Sequence, residues 1–527
     1  VRWAVGAAVL VTAAMLIPRI MGKQWRDRLY AGAAPLFGDW LPHIGWGSAP
    51  AIAIAVLVVA YGPATARRLP WRPLLAVTWV TAVAWAFALA MVDGWQRGFA
   101  ERLTSDHEYL HEVDGVTDIA AMLRGFSSRI LDFQPDSWTT HVSGHPPGAL
   151  LTFVVLDRIG LGGGAWAALL CMLTGCAAAI AVVVTLRALG SEDRARAAAP
   201  FLALAPAAVW LAVSADALFA GVTAWAVALL AIATRQRAGW VVAALGSGVL
   251  FGFGLYLSYG LVLMVVPALA VLAARTVRPV VPVAIGMLLV VGAFTATGFW
   301  WFDGYHLVVE RYYQGIASER PYSYWVWANL AATVCAVGLA SAAALHRAIR
   351  QLHLPALWRG LSSNRTTAAH HPLAPPTADA GATDSTAEMA TRVRASTSAS
   401  AETTADSTTP VTSATARATP DSTAETSTLG AADTPVAAGR LVALGAGIGR
   451  WRAVVDPAAL MAVAGLAAIL LADLSGLSKA ETERIWLPFE VWVLAGTALL
   501  PRRDVRVWLA VQALGTLLIA HLILTNW

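Results

Sequence analysis

GGAWAALLCMLTGCAAAIAVVVTL, residues 163–186, contains no charged side chain and no proline. At 1.5 Å per residue a helix of this length exceeds the roughly 30 Å hydrocarbon core of a bilayer. The run is continuous and not alternating, which excludes a membrane β-strand. Similar runs lie at 3–21, 46–62, 73–92, 198–213, 217–234, 239–255, 257–274, 280–298, 325–345, 455–472, 485–500 and 507–525. The expected fold is therefore an all-α polytopic membrane protein with about 13 transmembrane helices. Composition agrees: the 527 residues are 58% hydrophobic and 13% charged, where a soluble chain carries about 25% charge. The first run lacks a small-residue cleavage site and reads as a retained helix.

Charge is placed for topology. The chain has 37 basic and 32 acidic residues, and its only lysines are Lys23 and Lys479. Most arginines sit between apolar runs, which makes them orientation signals and not a nucleic-acid footprint. Cys171, Cys176 and Cys335 fall inside runs, so neither a disulfide framework nor a zinc spacing follows. With the N-terminus inside, the arginines at 67, 68, 72, 187, 194, 196, 235, 237, 275, 278, 347, 350, 502, 503 and 506 all become cytoplasmic. This scheme requires the short apolar segment 146–159 to stay on the external face without crossing. The expected regions are an N-terminal membrane region 1–345, a linker 346–454 and C-terminal helices 455–527. Residues 362–436 are mainly Thr, Ala and Ser, too poor in large apolar groups to fold, and read as a disordered cytoplasmic spacer. The C-terminus is then external, in a multi-pass plasma-membrane protein.

The same scheme gathers the chemistry outside, chiefly in the long loop 93–162 and the segments 299–324 and 473–484. Asp93 ends a span, where a carboxylate can take a proton from an incoming hydroxyl, although helix-end acids are common. DHEYLHEV (106–113) carries Asp106, Glu108 and Glu112 with His107 and His111. The two imidazoles share a helical face and could ligate a metal, but without an HExxH pattern a solvated amphipathic helix is the plainer reading. WTTHVSGHPPGALLTFVVLDRIG (138–160) sets His145 at the polar start of a helix, with Pro147 suited to its first turn. Glu483 is a further substrate-binding candidate, and the cations Arg311, Arg320, Lys479 and Arg484 stand outside against the charge bias. They are candidates for binding an anion, as alternatives to snorkelling or pairing with Glu310 and Glu319. Asp216, Tyr256 and Tyr259 are weaker candidates at tight turns.

An external Asp after an early span, an acidic segment and a His-Pro-Pro helix ending in Asp-Arg-Ile-Gly together resemble the GT-C membrane glycosyltransferases. The likeness is strongest to their protein O-mannosyltransferase and aminoarabinose-transferase branch. LALAPAAVWLAVSADALFAGVTAWAVALL (202–230), FGFGLYLSYGLVLMVVPAL (251–269) and KAETERIWLPFEVWVLAGTALLP (479–501) are similar to that branch's paired spans, Gly-rich hairpin and late-helix entry. The resemblance covers roughly 73–345 and 455–525. It departs in having two spans before the long loop, no Asp-Glu pair at the loop start, and Ile485-Trp486 in place of the usual Tyr.

The resemblance implies transfer of a sugar from a polyprenyl-phosphate donor to an acceptor hydroxyl on the extracytoplasmic face, with inversion. The acceptor is a glycan, lipid or protein, and no nucleic-acid partner is implied. On this reading Asp93 is the base and Arg484, with Lys479, clamps the phosphate. Asp106 or Glu108 orients the acceptor or holds a divalent cation, His145 contacts phosphate or sugar, and Arg311 and Arg320 contact phosphate or acceptor. The alternatives are a transporter or lipid-linked-sugar flippase, which would need ionisable groups at mid-membrane, and a non-catalytic scaffold of envelope assembly.

Overall fold

A computed structural model describes residues 1–352 and 455–525. The expected linker from 353 onward lies outside them. Among the described residues nine helices are long and apolar enough to cross a membrane: Arg2–Ile20, Ser48–Arg68, Trp71–Asp93, Gly164–Ala188, Asp216–Ala233, Trp240–Leu257, Tyr322–Gln351, Pro457–Leu474 and Val505–Leu522. Val280–Ala296 joined to Trp301–Gln314 across a 74° bend makes a tenth if counted as one broken span. The protein is a helical, multi-pass membrane protein. The helix expected to end near 345 continues to Gln351.

The three remaining runs take a broken form. Residues 198–213 divide between the Glu192–Ala203 helix and a 3-10 turn at Pro206–Trp210. Pro206 has no N–H to continue the helix. The carbonyls left over find partners elsewhere: Gln512 Nε2 donates to Phe201 O and Leu204 O, each at 2.9 Å, and Trp85 Nε1 donates to Ala205 O at 3.2 Å. Such substitutes are what a break inside an apolar bundle requires. Tyr259–Ala274 and Leu487–Leu499 are shorter apolar helices, each partly wound as 3-10 helix. That winding rises about 2.0 Å per residue against 1.5 Å, so a short segment reaches farther.

Contacts sort the helix ends into two sets. At one end Arg194 pairs with Asp456 at 2.8 Å and donates to Ala498 O at 2.9 Å. Arg196 donates to Ala66 O and Leu69 O, Arg275 to Ala188 O, and Arg278 to Gln236. At the other end stand Asp216, Arg320 and Arg484, linked through the contacts described below. Residues 192–213 run from Arg194 at one end toward Asp216 at the other, and 484–499 run from Arg484 back to the neighbourhood of Arg194.

Helix packing is close where small residues permit it. A Cβ on Gly221 would lie 2.1 Å from Thr174 O, so the Asp216–Ala233 and Gly164–Ala188 helices touch backbone to backbone. Asp216–Ala233 is the most enclosed of the long helices, and it carries Asp216 at its N-terminus. The Pro147–Arg158 helix has 12 residues and spans about 18 Å. His145 before it and Arg158 at its end both bond within the 93–162 region, to Tyr109 and Val116, so it does not reach the arginine-rich end. A short antiparallel pair, Gly38–Trp40 with Ile523–Thr525, ties the loop after the first helix to the end of the last.

Candidate functional site: a buried charge network at one end of the bundle

Arg484 sits in a four-residue helix, Thr482–Ile485, entered from Ala480 and Glu481. Both of those have left-handed backbone, at φ 71° and 63°. This is a conformation that non-glycine residues seldom adopt and that concentrates at functional sites. The turn aims Arg484 inward. Its guanidinium donates to Asp216 Oδ2 at 2.7 Å, to His141 Nε2 at 2.9 Å and to Glu481 Oε2 at 2.9 Å. Ser214 Oγ donates to the same Asp216 oxygen at 2.8 Å. Burial disfavours the guanidinium charge, yet the carboxyl groups of Asp216, Glu481 and Glu108 outweigh it and raise the Arg484 pKa.

The tautomer of His141 follows from its partners. A guanidinium only donates, so Nε2 is bare and Nδ1 carries the proton. Nδ1–H donates to His107 O at 2.8 Å and lies 3.3 Å from Glu108 Oε1. Burial, with Arg484 alongside, pushes the His141 pKa well below the usual range, which keeps the ring neutral. His145 Nδ1 lies 2.8 Å from both His141 O and Tyr109 Oη. A carbonyl only accepts, so here too the proton is on Nδ1.

Glu108 is buried beside this ring, and its Oε2 has no partner. Burial pushes its pKa up to about 8, with the Arg484 charge opposing the rise. Its carboxyl is thus the group in the network poised to exchange a proton near neutral pH.

Glu481 extends the network. Its second oxygen, Oε1, is 3.1 Å from Arg320 NH1. Arg320 also donates to Leu29 O, Tyr30 O and Lys479 O. Lys479 Nζ donates to Ala317 O at 2.8 Å. The ordered chain is Asp216–Arg484–Glu481–Arg320, with Lys479 beside Arg320.

Other expected site residues stand apart. Asp93 ion-pairs with His43 at 2.7 Å and Arg97 at 3.7 Å, a cluster separate from that of Arg484. The Asp93 contacts run to His43 and Arg97, and those of Arg484 to Asp216, His141 and Glu481. His43, from a loop far earlier in the chain, and Arg97, four residues later, take up the Asp93 carboxylate. His43 Nδ1 also lies 2.6 Å from Leu41 O. Both ring nitrogens of His43 thus face oxygen atoms, of Leu41 and of Asp93.

Asp106 is 92% exposed in its side chain, 3.9 Å from His111, and is outside the network. Among the described residues no three His, Cys, Asp or Glu side chains are grouped to hold a metal ion. Arg311 pairs with Asp132 at 2.6 Å and pins the Trp301–Gln314 helix to the long loop. Arg320 pairs with Glu481 and not with Glu319, which instead accepts from Tyr30.

Glu483 faces away from Arg484's partners and accepts from Phe37 N at 2.7 Å. Burial raises its pKa to about 7, against the pull of that backbone bond. A carboxyl raised from 4.5 to about 7 keeps its proton in the folded state where the unfolded chain has lost it. Its contribution is therefore complete below pH 4.5 and disappears as pH rises through 7. Glu483→Gln is expected to remove roughly 3 kcal/mol of this pH-dependent loss. Thermal unfolding at pH 5 and pH 8.5 checks this; an unchanged pH gap in the variant would contradict it.

Reading the sequence missed Glu481 and His43 as site residues. Glu481 had one signal, its place three residues before Arg484 on the same turn. Comparison with family models, curated proteins and solved structures finds none that matches this chain.

Proposed function

We propose that the protein is a membrane glycosyltransferase of the GT-C type. It moves a sugar from a polyprenyl-phosphate donor to an acceptor hydroxyl at the extracytoplasmic face. The observation that carries this reading is the convergence of Arg484, Arg320 and Lys479 with the buried carboxyl of Glu108 at one end of the bundle. Placing the arginine-rich end in the cytoplasm puts this network outside, near the headgroups where a lipid-linked sugar presents its anomeric carbon. All thirteen apolar segments then cross.

The chemistry needs a base and a cationic home for the leaving phosphate. The Glu108 carboxylate takes the acceptor's proton as the new oxygen–C1 bond forms. The C1–phosphate oxygen bond breaks, and polyprenyl phosphate leaves toward the arginines. One displacement inverts the anomeric centre. Glu108 replaces Asp93 in this role because it shares the network of Arg484. His141 and His145, both neutral, hold the loop around Glu108 and Tyr109. A surface cavity of about 180 Å³, lined by His111, Asp114, Phe153 and Asp157 among others, offers room for an acceptor. Phe153 packs on Tyr109 with ring centres 5.3 Å apart, which brings the cavity next to the network.

A second reading, transport of a lipid-linked sugar, draws on one observation. Glu490 is buried in the Leu487–Leu499 segment beside Thr333, and intramembrane acids mark translocation paths. Purified protein in lipid vesicles with a labelled polyprenyl-phosphate sugar separates the two. Release of polyprenyl phosphate supports transfer; movement of the intact donor across the bilayer supports transport.

A further inference from the structure

The Glu481 carboxylate is divided between two cations. Oε1 lies 3.1 Å from Arg320 and Oε2 lies 2.9 Å from Arg484. Two guanidiniums facing one small anion is the arrangement that binds phosphate through several donors at once. We infer that Arg320 and Arg484 form a cradle for the phosphate of a lipid-linked substrate. Glu481 is its resident counter-ion, displaced when the phosphate arrives. The inference rests on the lipid-phosphate reading above and adds how the site is guarded when empty.

Three observations support displacement. First, both guanidiniums keep their places without Glu481. Arg484 stays held by Asp216 and His141, and Arg320 by the carbonyls of Leu29, Tyr30 and Lys479. The cradle is therefore preorganised, and an incoming anion need not rebuild it. Second, Glu481 is the member of this group that reaches the surface. Its side chain is 16% exposed, against 4% for Arg320 and 6% for Arg484. Third, its backbone has a separate duty. Glu481 O accepts from Arg484 N and Ile485 N, which starts the short helix, so the side chain can swing away while the turn persists.

Electrostatics favour the exchange in that direction. Lys479 lies close enough to Arg320 to lower its own pKa, after the larger effect of burial. Its described bond goes to a carbonyl, Ala317 O, and not to a carboxylate. The donor's phosphodiester carries one negative charge, as a carboxylate does, whereas the polyprenyl phosphate released on transfer is a monoester that carries more and can engage this third cation as well. While Glu481 is in place, it repels anions that bind less strongly and keeps two buried cations neutralised.

The test measures binding and needs no turnover. Full-length protein in nanodiscs is titrated with farnesyl phosphate, with farnesol and inorganic phosphate as separate arms. Glu481→Gln is expected to bind farnesyl phosphate at least about tenfold more tightly than wild type. Farnesol affinity should not change. Glu481→Asp, which keeps the charge but reaches only one guanidinium, should fall between them, and it decides the matter if the Gln variant does not fold. Equal or weaker binding by both variants, with melting temperatures within about 3 °C of wild type, overturns the counter-ion role. Wild type and variants that bind farnesyl phosphate no better than farnesol would instead overturn the lipid-phosphate reading. Inorganic phosphate competing as strongly as farnesyl phosphate would reassign the cradle to a free anion and overturn the lipid assignment.

Discussion

Replacing Glu108 with Gln is expected to lower glycosyl transfer by about 10²–10⁴-fold, the usual worth of a positioned general base. Donor binding should change little, because the hydrogen bonds described for the cradle cations run to Asp216, His141, Glu481 and backbone carbonyls. The side chain is an isosteric swap at a buried position, so loss of packing does not explain the loss of rate. The pH profile gives a second readout. A carboxyl with its pKa near 8 is mostly protonated at neutral pH and accepts a proton only once ionised. Wild-type kcat/KM should therefore climb with pH and level off above about 8. In the Gln variant that rising limb should vanish. Transfer by the variant within about threefold of wild type would remove Glu108 from the chemistry and leave Asp216 and Glu481 as the carboxylates beside Arg484.

Arg484→Ala is expected to cost about 3–5 kcal/mol of stability, a range typical for breaking a buried ion pair by removing one partner. The reason is what remains. Asp216 and Glu481 would keep their charges in a buried site with Arg484 gone, and His141 Nε2 would lose its donor. The Asp216 end of the Asp216–Ala233 helix should loosen first, since Ser214 alone would still bond that carboxylate. Arg484→Lys should recover only part of the loss, because a single ammonium cannot match the planar fork that reaches Asp216, His141 and Glu481 together. Thermal unfolding in detergent, with hydrogen exchange across residues 210–220, reports both effects. A loss below about 1 kcal/mol would show that the network carries no stability.

The bundle was readable from the sequence because bilayer thickness imposes one length on every apolar helix. The gathering of Arg194, Arg196, Arg275 and Arg278 at one end of the bundle was readable from their places between apolar runs. The local form of the crossings was not. Nothing in the apolar run 198–213 says that Pro206 ends a helix whose carbonyls are rescued by Gln512, three hundred residues later. Hydropathy also treats Leu487–Leu499 as any other helix, though half of it is wound as 3-10.

The site was legible in its cast and less so in its pairing. Arg484, Glu108, Lys479 and Arg320 were all expected on one face, and the fold gathers them at one end. Asp93 was chosen for its position after a span, which cannot show that His43 from the preceding loop meets it. Glu481 was overlooked because its importance comes from backbone geometry. A left-handed turn at two non-glycine residues has no signature in the string Lys-Ala-Glu-Thr-Glu-Arg. Asp216 was ranked as a turn residue, and only tertiary packing shows it as the main partner of Arg484.

The most direct test is to give purified wild-type protein, reconstituted in vesicles, a polyprenyl-phosphate sugar labelled in the sugar, together with hydroxyl-bearing acceptors, and to follow both label and lipid. The expected result is label joined to an acceptor with stoichiometric release of polyprenyl phosphate, abolished by Glu108→Gln. Donor that stays intact, or merely changes leaflets, would contradict transfer at this site.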